Sequence, residues 1–487
     1  MNKPIRRLSF VVALLFCTLL LSTTWIQFVT AQSLDNRADN RRTVLETYSR
    51  ERGAILVDGS PIAKSVPSKD SLKFIRTYPQ AKLYSQVTGY YSFIYGAGGG
   101  LEGAENSMLS GQSDKLFYRR VLDMVTGKAP SGASLELTID PRAQKASDDA
   151  LGNQRGAVVA LDIKTGAILA MVSHPQYDPR FLASHNLDSV AAAWKNLNAS
   201  QGRPMVNRAI NDLYPPGSTF KLITAAAALS SGRLTEESQI YGAASLRLPL
   251  STKTLPTDDH QPCGPGDKTT LTHALEISCN TAFGWLGLPQ QLGAEALRAQ
   301  AAKFGFGDSL RVPMSVVPSV FPAKLDAAQS AQAAIGQESV RVTPMQMAMV
   351  SAAIANKGIV MKPYLVKDIR NNNLDVIDTS QPEQLSQAIT PDVAAALTRM
   401  MVKVVQSGTG TAASHIPGVT VAGKTGTAQN VPGGAPHAWF TAFAPANDPR
   451  IAVAVVVEHG GNAGNEAFGG TVAAPIAAKV MEAVLKP

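Results

Sequence analysis

Three short stretches of this chain place hydroxyl, amine and amide groups where they could carry acyl-transfer chemistry. In "YPPGSTFKLITAAAAL", Ser218 is followed three positions later by Lys221. Pro215, Pro216 and Gly217 block helix before the serine and strong helix formers follow it, so a helix is predicted to open at Ser218. Residues i and i+3 share a helix face, which brings the Lys221 amine within reach of the hydroxyl. A serine becomes a useful nucleophile once a base takes its proton, and a helix N-terminus offers N–H groups to a developing oxyanion. In "ALEISCNTAFGWLG", Ser278, Cys279 and Asn280 set polar groups inside an otherwise apolar helical segment, where burial demands partners. In "VAGKTGTAQN", Lys424, Thr425, Gly426 and Thr427 follow an apolar strand. The expectation there is a strand that presents charge and hydroxyls on one face, with Gly426 letting a ligand approach the backbone.

Each stretch alone has a bland explanation: an N-cap serine with a solvated lysine, a polar helix end, a hairpin turn. Two of the patterns also recur. "ALDIKTGAILAM" holds a second Lys-Thr-Gly at Lys164, Thr165 and Gly166, and "ASHN" a second Ser-x-Asn at Ser184 and Asn186. Asp162, Lys164, Thr165 and Gly166 interrupt two β-rich runs, which is turn chemistry with glycine supplying the unusual dihedral. Order separates the copies, because both precede Ser218. Ser-x-x-Lys, then Ser-x-Asn, then Lys-Thr-Gly is the ordered set of serine β-lactamases and penicillin-binding proteins.

The elements that must position these groups are legible in outline. A chain of 487 residues exceeds one ordinary core, and 45% hydrophobic with 17% charged residues describes a globular protein. The formal charge of +8 is scattered, without the basic runs of a nucleic-acid arm, so no nucleic-acid partner is expected. Residues 8–29 carry no charge and would span roughly 33 Å as a helix, enough to cross a bilayer. Lys3, Arg6 and Arg7 precede them, favouring a cytoplasmic tail at 1–7 and an exported remainder. A cleaved signal peptide ending at Val29-Thr30-Ala31 is the competing possibility. Residues 30–134 read as a small α+β module. From residue 135 to 487, strands, a long helical middle at about 217–410, then strands and a closing helix suggest one α/β domain. Its sheet would be built from both ends of the domain's sequence.

The chain resembles the class B penicillin-binding proteins. Besides the three motifs, "LTIDPRAQKASDDAL", "GAVVALDIKTGAILAMVSHPQYDP", "IGQESVRVTPMQMA" and, in the N-terminal module, "RGAILVDG" and "GGGLEGAENSMLSG" are similar to family segments. The resemblance implies an antiparallel sheet with helices in a serine β-lactamase-like transpeptidase domain. It also implies a D,D-transpeptidase that cross-links peptidoglycan stem peptides without metal or cofactor and is acylated by β-lactams. Ser218 would attack the D-Ala-D-Ala carbonyl, and Lys221 would be the base, kept neutral by burial beside cationic Lys424. Ser278 would bridge the lysines and Asn280 would hold the substrate amide. Lys424, Thr425 and Thr427 would receive the carboxylate, and the Ser218 and Thr427 N–H groups would form the oxyanion hole. The cytoplasmic membrane and the proteins of division or elongation are the partners such an enzyme would have. A β-lactamase, a D,D-carboxypeptidase, an antibiotic sensor and a scaffold share the fold and remain as alternatives. A bifunctional enzyme would need a glycosyltransferase domain, and residues 30–134 are too short to hold one.

Of three cysteines, Cys17 lies in the apolar run, and Cys263 and Cys279 fall on the exported side. Cys263 sits in the Pro/Gly loop "HQPCGPGD", which can bend back to the second motif, so a disulfide is expected there. Closing a loop of that size contributes about 3 kcal/mol in the chain-entropy picture. Two unrelated thiols, with Cys279 buried as a small apolar residue, are the alternative.

Overall fold

The computed structural model describes residues 3–30, 48–70, 72–116, 131–371, 373–429 and 433–486. At its centre is a five-stranded antiparallel sheet built from both ends of the larger domain, as the sequence suggests. Its strands are β1 (Gly156–Asp162), β2 (Ile168–His174), β3 (Ala422–Ala428), β4 (His437–Ala444) and β5 (Ile451–Val457), in the spatial order β3-β4-β5-β1-β2. Helices α1 (Pro141–Leu151) and α7 (Gly469–Leu485) pack on one face, and α5 (Pro344–Ala355) packs on the other. Alternate residues divide between the faces. Val158 and Ala160 join the core under α7, while Ala157, Val159 and Leu161 join the core that holds α5. With both faces covered, "IAVAVVV" has no reason to alternate with polar residues, and every residue of β5 is buried.

The first Lys-Thr-Gly is the turn of the β1–β2 hairpin. Asp162 Oδ1 accepts from the backbone N–H of Lys164 and Thr165 and from the Thr165 hydroxyl, and Gly166 takes φ 80°. The Ser184–Asn186 copy is a helix start, with Asn186 Oδ1 accepting from Ser189 N. The middle of the chain is less uniformly helical than its composition suggests. Among its helices are α2 (Lys221–Ser230), α3 (Leu271–Glu276), α4 (Asn280–Leu286) and α6 (Pro391–Gln406). Between them run short ribbons such as Ser245–Arg247 with Thr254–Pro256.

The N-terminal strands Ile55–Val57, Ser60–Pro67 and Phe74–Thr77 are continued by Ser134–Leu137, Val366–Arg370 and Val376–Thr379 into one six-stranded sheet. That sheet runs across residue 134, because a short three-stranded edge gains hydrogen-bond partners by continuing into the next unit. In the smaller unit the fully buried Glu102 accepts from both Arg52 Nε and Arg76 Nε at 2.6 Å. Lys3–Trp25 is an α-helix extended by a π turn at Ile26–Thr30, apolar and long enough to cross a membrane.

A second buried ion cluster fastens the segment ahead of Ser218 to the sheet. Glu458, just after β5, accepts from Arg208 Nε at 2.7 Å and from the Tyr214 hydroxyl at 2.8 Å. Trp439 Nε1 on β4 donates to Pro215 O at 3.1 Å. Arg208 is fully buried, so Glu458→Ala would leave its charge without a counterion. The expected cost is about 3–5 kcal/mol, read as a lower urea midpoint for unfolding. A loss below about 1 kcal/mol would show that the cluster does not brace this segment.

Candidate active site

Ser218 stands in a 3-10 turn, Gly217–Phe220, that runs directly into α2. The turn rests on β3, and two glycines make the approach possible. Gly217 takes φ 52°, and a Cβ there would lie 2.6 Å from Thr427 O. A Cβ on Gly426 would meet Thr219 Cγ2 at 2.9 Å and Pro216 O at 3.0 Å. Gly426 therefore admits the serine turn itself to the strand, where the sequence suggested the approach of a ligand.

The second motif occupies a break between α3 and α4, not the interior of one helix. Ser278 has φ 62°, a left-handed conformation that costs a non-glycine residue on the order of 1–3 kcal/mol. This reversal aims both its carbonyl and its hydroxyl at lysines. Lys221 Nζ donates to Ser278 O at 2.7 Å, to Ser278 Oγ at 3.2 Å and to Asn280 Oδ1 at 2.7 Å. Lys424 Nζ reaches the same Ser278 Oγ at 2.9 Å. One hydroxyl thus joins the two amines, which brings the three motifs together as expected.

Two expectations are corrected. Lys424 does not share a face with the threonines. Strand alternation puts Thr425 and Thr427 on one face of β3, while the fully buried Lys424 bends its Nζ to Ser278 Oγ at 2.9 Å, to Thr425 O at 3.2 Å and to the Thr425 hydroxyl at 3.5 Å. Nor does Lys221 hydrogen-bond Ser218. Its partners are Ser278 and Asn280, and no bond to Ser218 Oγ is among the hydrogen bonds of the described residues.

Electrostatics refine the lysine roles further. Both amines are fully buried, and among the described residues no carboxylate forms a salt bridge with either. Burial lowers Lys221 to about 7, with Asp258 opposing the shift. Burial drives Lys424 well below the ordinary lysine value, and the neighbouring Lys221 charge lowers it again. Two ammonium groups around one hydroxyl repel each other, so the first proton binds readily and the second does not. Burial thus lowers both amines, and the shift of Lys221 to about 7 is in the direction a neutral base requires.

Above the lysines lies a groove of about 690 Å³ lined by Ser218, Ser278, Asn280, Thr425, Gly426 and Thr427 among others. Cys263 and Cys279 are joined by a disulfide across a sequence separation of 16, which ties the loop 257–263 to the second motif. Among the groove residues that sequence reasoning missed, three bear on the site. Thr409 bonds the Thr425 hydroxyl at 2.6 Å, Phe468 is 58% exposed at the groove, and Asp258 pairs with Asn280. For Asp258 a signal existed: a loop expected to be tied to Cys279 must carry its acidic residues to the neighbouring Asn280. Nothing in the local pattern marks Thr409 or Phe468.

A strained serine, two lysines and a serine-bearing turn on the edge of a covered antiparallel sheet define a class of acyl-serine enzymes. Residues 156–482 match the penicillin binding protein transpeptidase domain, and residues 52–135 match the penicillin binding protein A dimerisation domain. The chain belongs to the penicillin-binding protein transpeptidase family. It is 43% identical to peptidoglycan D,D-transpeptidase PbpA of Mycolicibacterium smegmatis, over 100% of this chain and 99% of that protein. It is 44% identical to the PbpA of Mycobacterium tuberculosis, with the same coverage. Among solved structures, the ceftriaxone acyl-enzyme of penicillin-binding protein A from M. tuberculosis superposes with a TM-score of 0.87 at 43% identity, covering 91% of this chain and all of that one. The penicillin G acyl-enzyme of the same protein gives 0.84 at 43% identity, covering 90% of this chain and all of that one.

Two outcomes follow from this geometry. Acylation needs one of the two buried amines neutral, and burial brings Lys221 down to about 7, so penicillin acylation is expected to persist at neutral pH and to fall on acidification as the pair takes up its second proton. A stopped-flow rate that stays flat down to about pH 5 would contradict the lysine as base. Gly426→Ala is expected to lift the serine turn off β3 and slow acylation by about tenfold or more, with a destabilisation of about 1–3 kcal/mol. Unchanged acylation would show that the turn and strand are not in forced contact.

Proposed function

We propose that this chain is a membrane-anchored peptidoglycan D,D-transpeptidase in which Ser218 carries the acyl group. The observation that carries the reading is the junction of Lys221 and Lys424 on the single hydroxyl of Ser278, directly below a groove lined by Ser218, Thr425 and Thr427. The acyl-enzymes formed by penicillin-binding protein A from M. tuberculosis support it.

The donor's terminal carboxylate docks on the Thr425 and Thr427 hydroxyls, above Lys424. An approaching anion raises the proton affinity of a buried amine, so the shared proton moves to Lys424 across Ser278 Oγ. Lys221 is left neutral, swings from Ser278 and Asn280 to Ser218, and accepts the hydroxyl proton as Oγ attacks the D-Ala-D-Ala carbonyl. The N–H groups of Ser218 and Thr427 receive the oxyanion. The C–N bond breaks, and Ser278 relays a proton from Lys221 to the leaving D-Ala amine. The acyl group then passes from Ser218 to the amine of a second stem peptide. Asn280 Nδ2 offers its second N–H to the donor's amide carbonyl. A β-lactam enters the same path and stops at the acyl-enzyme. The helix Lys3–Thr30 would hold the catalytic domain at the outer face of the cytoplasmic membrane.

Labelling by a fluorescent penicillin tests the reading. Ser218→Ala is expected to abolish the covalent adduct, and Lys424→Ala to slow its formation about 10²-fold or more. Lys164→Ala, in the β1–β2 turn, is expected to label as the unaltered protein does. A penicillin adduct persisting in Ser218→Ala, or equal losses from the two lysine variants, would refute the assignment.

A further inference from the structure

The loop that follows the strand Thr254–Pro256 brings one more charged group to the groove. Asp258 is the single carboxylate among the described residues that line it. Its Oδ1 accepts from Asn280 Nδ2 at 2.7 Å, and Asn280 Oδ1 in turn accepts from Lys221 Nζ at 2.7 Å. Asp258 is exposed, and its Oδ2 has no partner among the described residues. The placement is fixed from both sides. The buried Thr257 donates its N–H to Ala244 O at 3.0 Å and its hydroxyl to Gln261 O at 2.9 Å. A few residues on, Cys263 is bonded to Cys279, the neighbour of Asn280.

The sign of this charge is wrong for the donor. A D-alanyl donor and a penicillin both arrive with a carboxylate, which an anionic rim repels. The second substrate is different. A primary alkyl amine with an ordinary pKa of about 10.4 arrives as an ammonium, and a carboxylate with a free oxygen attracts it.

We propose that Asp258 is the acceptor-docking residue of this groove, a specificity-determining carboxylate that holds the primary ammonium of the incoming stem peptide beside the acyl group on Ser218. This rests on the transpeptidase reading above. With the acyl-enzyme formed, the ammonium pairs with Asp258 Oδ2 and loses one proton to water. Its nitrogen attacks the ester carbonyl. As the C–N bond forms and the C–Oγ bond breaks, Lys221 takes the second amine proton and returns one to Ser218 Oγ. Asp258 changes no bond; it raises the local concentration of the amine and orients it. Its charge also favours the protonated forms of Lys221 and Lys424.

The test is a partition experiment on the full chain in detergent, with a D-alanyl thioester as donor. Two acceptors are compared near neutral pH: N-acetyl-lysine amide, an ammonium, and hydroxylamine, a neutral nucleophile. Asp258→Asn is expected to lower the ratio of amide to hydrolysed product with N-acetyl-lysine amide by about threefold to fivefold, the size of one exposed ion pair. The ratio with hydroxylamine is expected to hold. Asp258→Glu keeps the charge and is expected to keep the preference for the ammonium. Asp259→Asn, whose carboxylate caps Gln261 N at 3.0 Å, serves as the neighbouring control. Equal losses with both acceptors, or no loss with the ammonium, would overturn the docking role. An unaltered protein that acylates but transfers to neither acceptor would overturn it too. Failure of that protein to form any penicillin adduct would instead overturn the transpeptidase reading, and this inference with it.

Discussion

Two lysine amines are buried around one serine hydroxyl, and the rest of the site is arranged to make that tolerable. An isolated buried ammonium is costly, and two within reach of one oxygen are costlier still. The fold supplies acceptors in place of counterions. Ser278 gives both its carbonyl and its hydroxyl, which its left-handed backbone makes possible, and Asn280 gives its amide oxygen. In the mechanism we propose, the pair holds one proton and hands it from amine to amine when an anion arrives. That is the property an acyl-transfer site needs in its base.

Larger features of the fold maintain this geometry. The covered sheet supplies a rigid edge for Lys424 and Thr427. The cluster of Glu458, Arg208 and Tyr214 holds the chain ahead of Ser218 against that sheet, and Gly217 and Gly426 let the serine turn settle on β3. The disulfide acts from the other side, fixing the loop beside Asn280. Apart from the disulfide, each of these contacts joins segments far apart in the chain, so the site forms only once the domain is assembled.

Much of this was legible in the residues. Ser218 with Lys221, Ser278 with Asn280 and Lys424 with Thr427 are recognisable because order along the chain separates them from their chance copies. The sheet built from both ends and the Cys263–Cys279 bond also followed from local patterns, one from runs of apolar residues and one from a shared compartment. What escaped was non-local. The face to which Lys424 turns depends on where Ser278 lies, and the helix break at Ser278 depends on lysines that arrive from two other elements. The lowered proton affinity of Lys221 was implied by the family resemblance, whereas that of Lys424 depends on a burial that pattern does not reveal. Asp258 was overlooked although the expected disulfide pointed to it, since an aspartate in a Pro/Gly loop looks solvated unless the loop is known to be tied down.

The shared proton is most directly tested by lysine Nζ NMR on protein labelled with nitrogen-15 at lysine, with Lys221→Arg and Lys424→Arg to assign the two signals. Both amines are expected to titrate well below the ordinary lysine range, Lys221 at about 7. Adding a carboxylate-bearing, non-reactive D-alanyl peptide should move the proton toward Lys424. Two amines that both remain ammonium up to about pH 10, the ordinary lysine range, would contradict the shared proton and the base role of Lys221.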